Sequence, residues 1–358
     1  MDQLSKNSRF TKLLVALAVS IVLGSCRSRP DIPAARYGAV MVFDPVESQA
    51  ILFGGRAEGL LGLKYFDDMW AFDTTTQTWA LIETSGQPPG RLSPGLVYDP
   101  VHHQIILFGG HGKQDRLGDT WVYSISDNLW EEVTPANSPT PRSDGGMVYD
   151  EENQIVILFG GYCQEDNRQL CDDTWSYDPK TNTWTEMNPP SSPPIMYGHT
   201  LVYDDTNHRV VLWGGHMSTY RNGQIASAGY GDSIWNYDYL ENVWREIEHT
   251  RKPPARYWHQ ATFDIIDDNL VLFGGNGGRG FLNDTWLFDV ERDTWESANT
   301  EPAPIPRVNA AMTYDSFSNV TVLFGGLEED MTDLRDTWVF KETDTGGEWT
   351  EITPSQRR

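Results

Sequence analysis

Between Gly95 and Val133 the chain alternates short apolar runs with clusters of turn formers. "GLVYD" (Gly95–Asp99) is an apolar run ending in an acidic turn, and "QIILFGG" (Gln104–Gly110) is β-branched and aromatic and ends in a glycine pair. "TWVYS" (Thr120–Ser124) and "LWEEV" (Leu129–Val133) alternate more openly, and "DPVHH", "GGHGKQDRLGD" and "SISDN" separate the four runs. The pattern predicts four short strands. The glycine pair allows the chain to leave the second strand at positive φ with no side chain in the way.

The unit recurs. "LFGG" or "LWGG" occurs six times, with its first glycine at Gly54, Gly109, Gly160, Gly214, Gly274 and Gly325. Each pair is followed by one Trp (Trp70, Trp121, Trp175, Trp235, Trp286, Trp338) and then another (Trp79, Trp130, Trp184, Trp244, Trp295, Trp349). No repeat holds a helical period. A four-stranded sheet that is apolar on both faces needs neighbours, and six set radially bury one another's faces while a closed ring protects the edges. An Arg before the first strand, a glycine pair, Asp-x-Trp and a second Trp together resemble the kelch repeat. The resemblance covers roughly Arg36 to Ile352 and implies an all-β fold, a six-bladed kelch β-propeller with four antiparallel strands per blade. It says little about function, because kelch propellers include adaptors, sugar isomerases and copper oxidases. The expected organisation is a signal segment over 1–25, a short linker over 27–35, the propeller over 36–352 and a tail over 353–358. Every blade is then contiguous sequence, and the ring closes by packing of the first blade on the last.

Alternating strand direction puts the entry to each first strand and the loop between second and third strands on one face. That face carries Arg36, Arg91, Arg142, Met196, Arg256 and Arg307, together with the longest loop, Gly215–Asp232. The opposite turns, such as "DPVES" and "DEENQ", read as solvated connectors. Near the channel mouth the wall is not uniform: Tyr197, His199, Tyr257, Trp258 and His259 come from the fourth and fifth repeats. Trp258 belongs to neither Trp column, so the repeat does not demand it. Two readings of the Arg column stand side by side. The Arg residues either bind a ligand at the mouth or pair within the fold with Asp68, Asp119, Asp173, Asp284 and Asp336. Met196 replaces Arg in the one repeat whose Asp, Asp232, is out of register, as pairing requires. His199 and His259 are likewise candidates either for ligand contact or for hydrogen bonding between inner strands.

Charge narrows the partners. Asp and Glu number 51 against 27 Lys and Arg, a formal net of −24, which disfavours nucleic acid. Lys6, Arg9 and Lys12 precede the apolar "LLVALAVSIVL" (Leu13–Leu23), too short for a comfortable span, and "LGSC" (Leu23–Cys26) resembles the lipobox of bacterial lipoproteins. That resemblance implies lipidation at Cys26 and a place in the cell envelope, at the outer membrane or the periplasmic face. Cys163 and Cys171 then read as a disulfide in one loop of an exported protein.

The expectation is a lipid-anchored, monomeric binding propeller whose glycan or protein ligand sits on Arg36, Arg91, Arg142, Arg256, Arg307, Tyr197, His199, Tyr257, Trp258 and His259. No cofactor and no metal are expected. The alternative is a kelch-type sugar mutarotase or epimerase using an acid/base pair such as His199 and His259. A copper-radical oxidase fits less well, since that resemblance requires a Cys linked to a Tyr.

Overall fold

The structure, a computed structural model, describes residues 31–352 apart from 60–61, 166–167, 222–223, 250, 299 and 344–345. The signal segment with Cys26, residues 27–30 of the linker and the 353–358 tail therefore lie outside the described residues. All regular structure in it is β. No helix among the described residues is long and apolar enough to cross a membrane.

Among the described residues, six antiparallel sheets, each built on four strands of contiguous sequence, follow one another along the chain, beside one three-stranded ribbon. In the second, Gly95–Asp99 pairs with Gln104–Phe108, which pairs with Thr120–Ser124, which pairs with Leu129–Val133. The other innermost strands are Tyr37–Asp44, Gly146–Asp150, Thr200–Asp204, Gln260–Asp264 and Ala311–Asp315. Burial falls from the second strand outward: Ile105 to Phe108 are all buried, whereas Trp130 is the only buried side chain of Leu129–Val133. The second strand is covered on both faces by neighbouring sheets, so it reads as a continuous apolar run.

One apolar cluster fills each seam. Val42, Phe53 and Met69 of the first sheet pack on Ile105, Leu107 and Trp130 of the second. Across the closing seam, Ala39, Leu52 and Trp79 of the first sheet meet Ala311, Val322 and Phe324 of the sixth. Each fully buried Leu, Val or Phe contributes about 1.5–3 kcal/mol. The outer Trp column adds a polar stitch. Trp79 Nε1 donates to Thr337 Oγ1 at 2.9 Å, and Trp184, Trp244 and Trp349 donate to Thr120, Thr174 and Thr285 in the preceding sheet. Met69 and Ile234 stand where that Thr would be, and the Nε1 atoms of Trp130 and Trp295 are buried without a partner.

The Arg column belongs to the fold. Arg36, Arg91, Arg142, Arg256 and Arg307 are at most 2% exposed. In the second sheet Arg91 Nη1 and Nη2 donate to the two carboxylate oxygens of Asp119 at 2.7 and 2.8 Å. Nη1 also donates to Gly109 O and Nε to Pro89 O. The other four Arg repeat this with Asp68, Asp173, Asp284 and Asp336. Trp121 Nε1 completes the Asp119 carboxylate at 2.6 Å, which explains the Asp-x-Trp spacing. Burial alone would raise the Asp119 carboxyl, but the Arg91 hydrogen bonds and charge outweigh it and hold it below the usual range. The Arg main chain bonds to the preceding sheet, as in Gly55 N to Arg91 O at 2.8 Å and Gly326 N to Arg36 O at 2.9 Å. The expected ligand role of these five residues is thus corrected: four of five guanidinium N–H groups are occupied inside the ring. In the fourth sheet Met196 is buried, Ser233 stands in place of Asp, and Trp235 Nε1 has no partner. Asp232 pairs instead with Lys252 at 2.8 Å.

Two further expectations change. The Gly215–Asp232 segment is not an irregular loop: His216–Arg221 and Gln224–Tyr230 pair as a ribbon, which Met196–Tyr197 extends. On the opposite face the turns expected as solvated connectors also present apolar side chains, since Val46, Val101, Ile266 and Phe317 are all at least half exposed. Cys163 and Cys171 form a disulfide across the paired segments Ile155–Glu165 and Arg168–Asp178.

Candidate functional site

At the mouth, six main chains join into a collar. Gly38 N donates to Asn309 O, Ser93 N to Gly38 O and Asp144 N to Ser93 O. Gly198 N donates to Asp144 O, Trp258 N to Gly198 O and Asn309 N to Trp258 O, all six bonds being 2.8–3.1 Å. Each residue lies two past the Arg column, and each has positive φ, from 46° at Ser93 to 66° at Gly198. Left-handed backbone turns the amide of one sheet toward the carbonyl of the one before it.

Trp258 holds this conformation at φ 55°, unusual for a bulky residue. Its indole lies over Gly198, where an added Cβ would come within 2.8 Å of Trp258 Cδ1, and its Nε1 donates to Asp144 Oδ1 at 3.2 Å, two sheets away. It packs against a small apolar cluster of Tyr37, Val308 and Leu327. Trp258 therefore sits at the mouth and partly closes it. Burial raises the Asp144 carboxyl, opposed by donors from Ser143, Ser93 and Trp258 and by the charge of Arg116.

Around Trp258 runs an aromatic arc. Tyr257 lies 4.5 Å from Trp258 between ring centroids, stacks on Tyr230 at 5.3 Å and meets Tyr197 edge-on at 5.8 Å. His216 and Tyr162 continue the arc from Tyr197 at 5.0 and 5.4 Å. The Arg116 guanidinium then lies over the Tyr162 ring at 4.0 Å. On the other side Arg56 donates to the hydroxyls of Tyr37 and Tyr65, and Tyr65 Oη is 3.3 Å from His111 Nδ1. Among the described residues neither Arg56 nor Arg116 is paired with a carboxylate, and both Nε atoms are buried without a partner. His111 is pushed below its usual range by burial and then by the nearby charges of Arg116 and Arg56.

Of the sequence candidates, Tyr197, Tyr257 and Trp258 come together in this mouth. His199 and His259 do not join them. His199 Nε2 accepts from Gly146 N at 3.1 Å and His259 Nε2 is 3.0 Å from Thr200 Oγ1, so both are sealed between inner strands. Burial pushes His199 down to about 4 and His259 well below its usual value. Arg56, Arg116, Tyr162 and Tyr230 are additions. Their one sequence signal is negative: Arg56 and Arg116 fall outside the Arg column and lack a matching Asp.

A model of the KLHDC2/KLHL20/DRC7 Kelch-repeats domain matches residues 22–196 and 153–358. Mei4-dependent protein 6 of Schizosaccharomyces pombe is 22% identical over 334 residues, covering 81% of this chain and 45% of its own. Multiple epidermal growth factor-like domains protein 8 of Mus musculus is 25% identical over 287 residues, covering 75% of this chain and 10% of its own. The chain thus spans less than half the length of either relative. With an Arg–Asp–Trp stitch in five of its sheets and this match along its length, the chain belongs to the Kelch-repeats domain family.

Proposed function

We propose that the protein is a non-catalytic binding propeller that holds a carboxylate-bearing ligand, an acidic glycan or protein segment, in the mouth around Trp258. The supporting observation is the pair Arg56 and Arg116, two guanidiniums among aromatic rings that form no ion pair with a carboxylate among the described residues, in a chain with 51 acids and 27 bases. A fork of N–H donors suits a carboxylate, and Tyr230, Tyr257 and Trp258 offer flat faces to a sugar or an aromatic side chain. A mutarotase would need an accessible acid/base pair, and His199 and His259, the candidates for it, are buried and neutral. The tether to the cell envelope, at the outer membrane or the periplasmic face, is inferred from residues 1–26 of the sequence alone.

The test is binding of the purified protein to arrays of acidic glycans and acidic peptides. Arg56→Ala with Arg116→Ala, and separately Trp258→Ala, should each weaken the strongest hit at least about tenfold, roughly 1.4 kcal/mol. Variants that keep the fold and bind like the unaltered protein would place the site elsewhere.

A further inference from the structure

Below the collar the ring encloses an axial cavity of about 580 Å3. It runs from Asp144 and Trp258 to the turns of the opposite face, where Glu151, Asp205 and Ile265 line it. Each innermost strand pairs on one side only, with the second strand of its own sheet. The free edges, with their unpaired carbonyl and amide groups, therefore form much of the wall. Asp144, Glu151 and Asp205 are the acidic side chains lining it, and no Lys or Arg is among the described residues that do. Asp144 forms no ion pair, and Glu151 and Asp205 have neither a cation nor a hydrogen-bond donor on their carboxylates among the described residues. Asp144 and Glu151 flank the inner strand Gly146–Asp150 at its two ends, a strand of roughly 15 Å at about 3.3 Å per residue.

We propose that this axial channel binds a linear polyamine, entering from the face opposite the Trp258 mouth. A row of ammonium groups joined by short methylene spacers meets free strand carbonyls along the wall and a carboxylate at either end. An anion gains nothing there, and a monovalent metal ion uses one end only. Burial and the charge of Asp205 hold the Glu151 carboxyl above its usual range, a repulsion that a bound cation relieves. The site shares no basic residue with the mouth above, so it stands or falls separately from the binding function proposed there.

Calorimetric titration with spermine in about 150 mM salt, where surface charges are largely screened, tests this. One equivalent should bind, at least about tenfold more tightly than putrescine or Mg2+. Glu151→Gln with Asp205→Asn, both at the turn end of the channel and outside the core, should weaken it about tenfold, and Thr262→Lys, which puts a cation in the channel wall, should abolish it. Arg56→Ala, which alters the mouth but faces none of the channel carboxylates, should leave it unchanged. Several equivalents with no effect of Thr262→Lys would show spermine to be a surface counterion, and no binding at all would equally overturn the proposal.

Discussion

Trp79 Nε1 reaches Thr337 Oγ1 at 2.9 Å, so a residue of the first sheet is bonded to one of the last, 258 positions along the chain. The bond crosses the closing seam, where no peptide connects the sheets. Thr337→Val keeps the shape and leaves the Trp79 N–H buried and unmatched. Such a loss costs about 1–3 kcal/mol, read as a lower denaturant midpoint with an unchanged slope.

The same seam chemistry is missing at Met69. Met69→Thr should offer Trp130 Nε1 a partner and offset part of the lost packing, whereas Thr174→Met should remove one from Trp244. We expect the first change to be within about 1 kcal/mol of neutral and the second to cost about 1–3 kcal/mol. Equilibrium unfolding of the two variants side by side would separate them.

Arg142→Met alone should be severe. It strands the Asp173 carboxylate and Gly160 O in a buried site, and breaking a buried pair costs about 3–5 kcal/mol. Adding Asp173→Ser copies the Met196 and Ser233 arrangement of the fourth sheet and should recover much of the loss. A double-mutant cycle on unfolding free energies measures this coupling.

Stability should fall with acid in a window that His199 helps define. Its folded value is depressed to about 4 by burial, while the unfolded side chain titrates near 6.5. The unfolded chain binds the extra proton first, so the contribution is complete above about pH 6.5 and is lost as pH falls toward 4, roughly 3 kcal/mol in all. His199→Gln, which keeps an acceptor for Gly146 N, should flatten that part of the curve. Unfolding midpoints collected between about pH 4.5 and 7.5 would show it.

Much of the architecture could be read from residues alone because its determinants are side chains at fixed spacing: glycine pairs, two Trp columns, and an Arg whose absence at Met196 coincides with an absent Asp. Trp258, Tyr197 and Tyr257 stood out for the complementary reason, since nothing in the repeat requires Trp258. Arg56 and Arg116 offered only the negative signal of falling outside the Arg column. Arg56 follows the glycine pair of its strand and Arg116 sits in a connecting segment, and only the three-dimensional arrangement shows that among the described residues neither forms an ion pair with a carboxylate. The Gly215–Asp232 ribbon was hidden because its strands rest on main-chain pairing rather than on apolar alternation. His199 and His259 looked like ligand contacts because sequence places them beside the mouth but does not say which way the imidazoles turn.

The bonds of the collar involve only amides and carbonyls, and the six positions hold Gly, Ser, Asp, Gly, Trp and Asn without interrupting them. What those positions must supply is a backbone twist, not a particular chemical group. The hub that locks the wheel is thus main chain, and the side chains it bears are limited only by the left-handed twist and by the room their neighbours leave. A protein assembled this way can exchange the substituents on its axle, and with them the molecule it recognises, while the rim keeps turning on the same bearing.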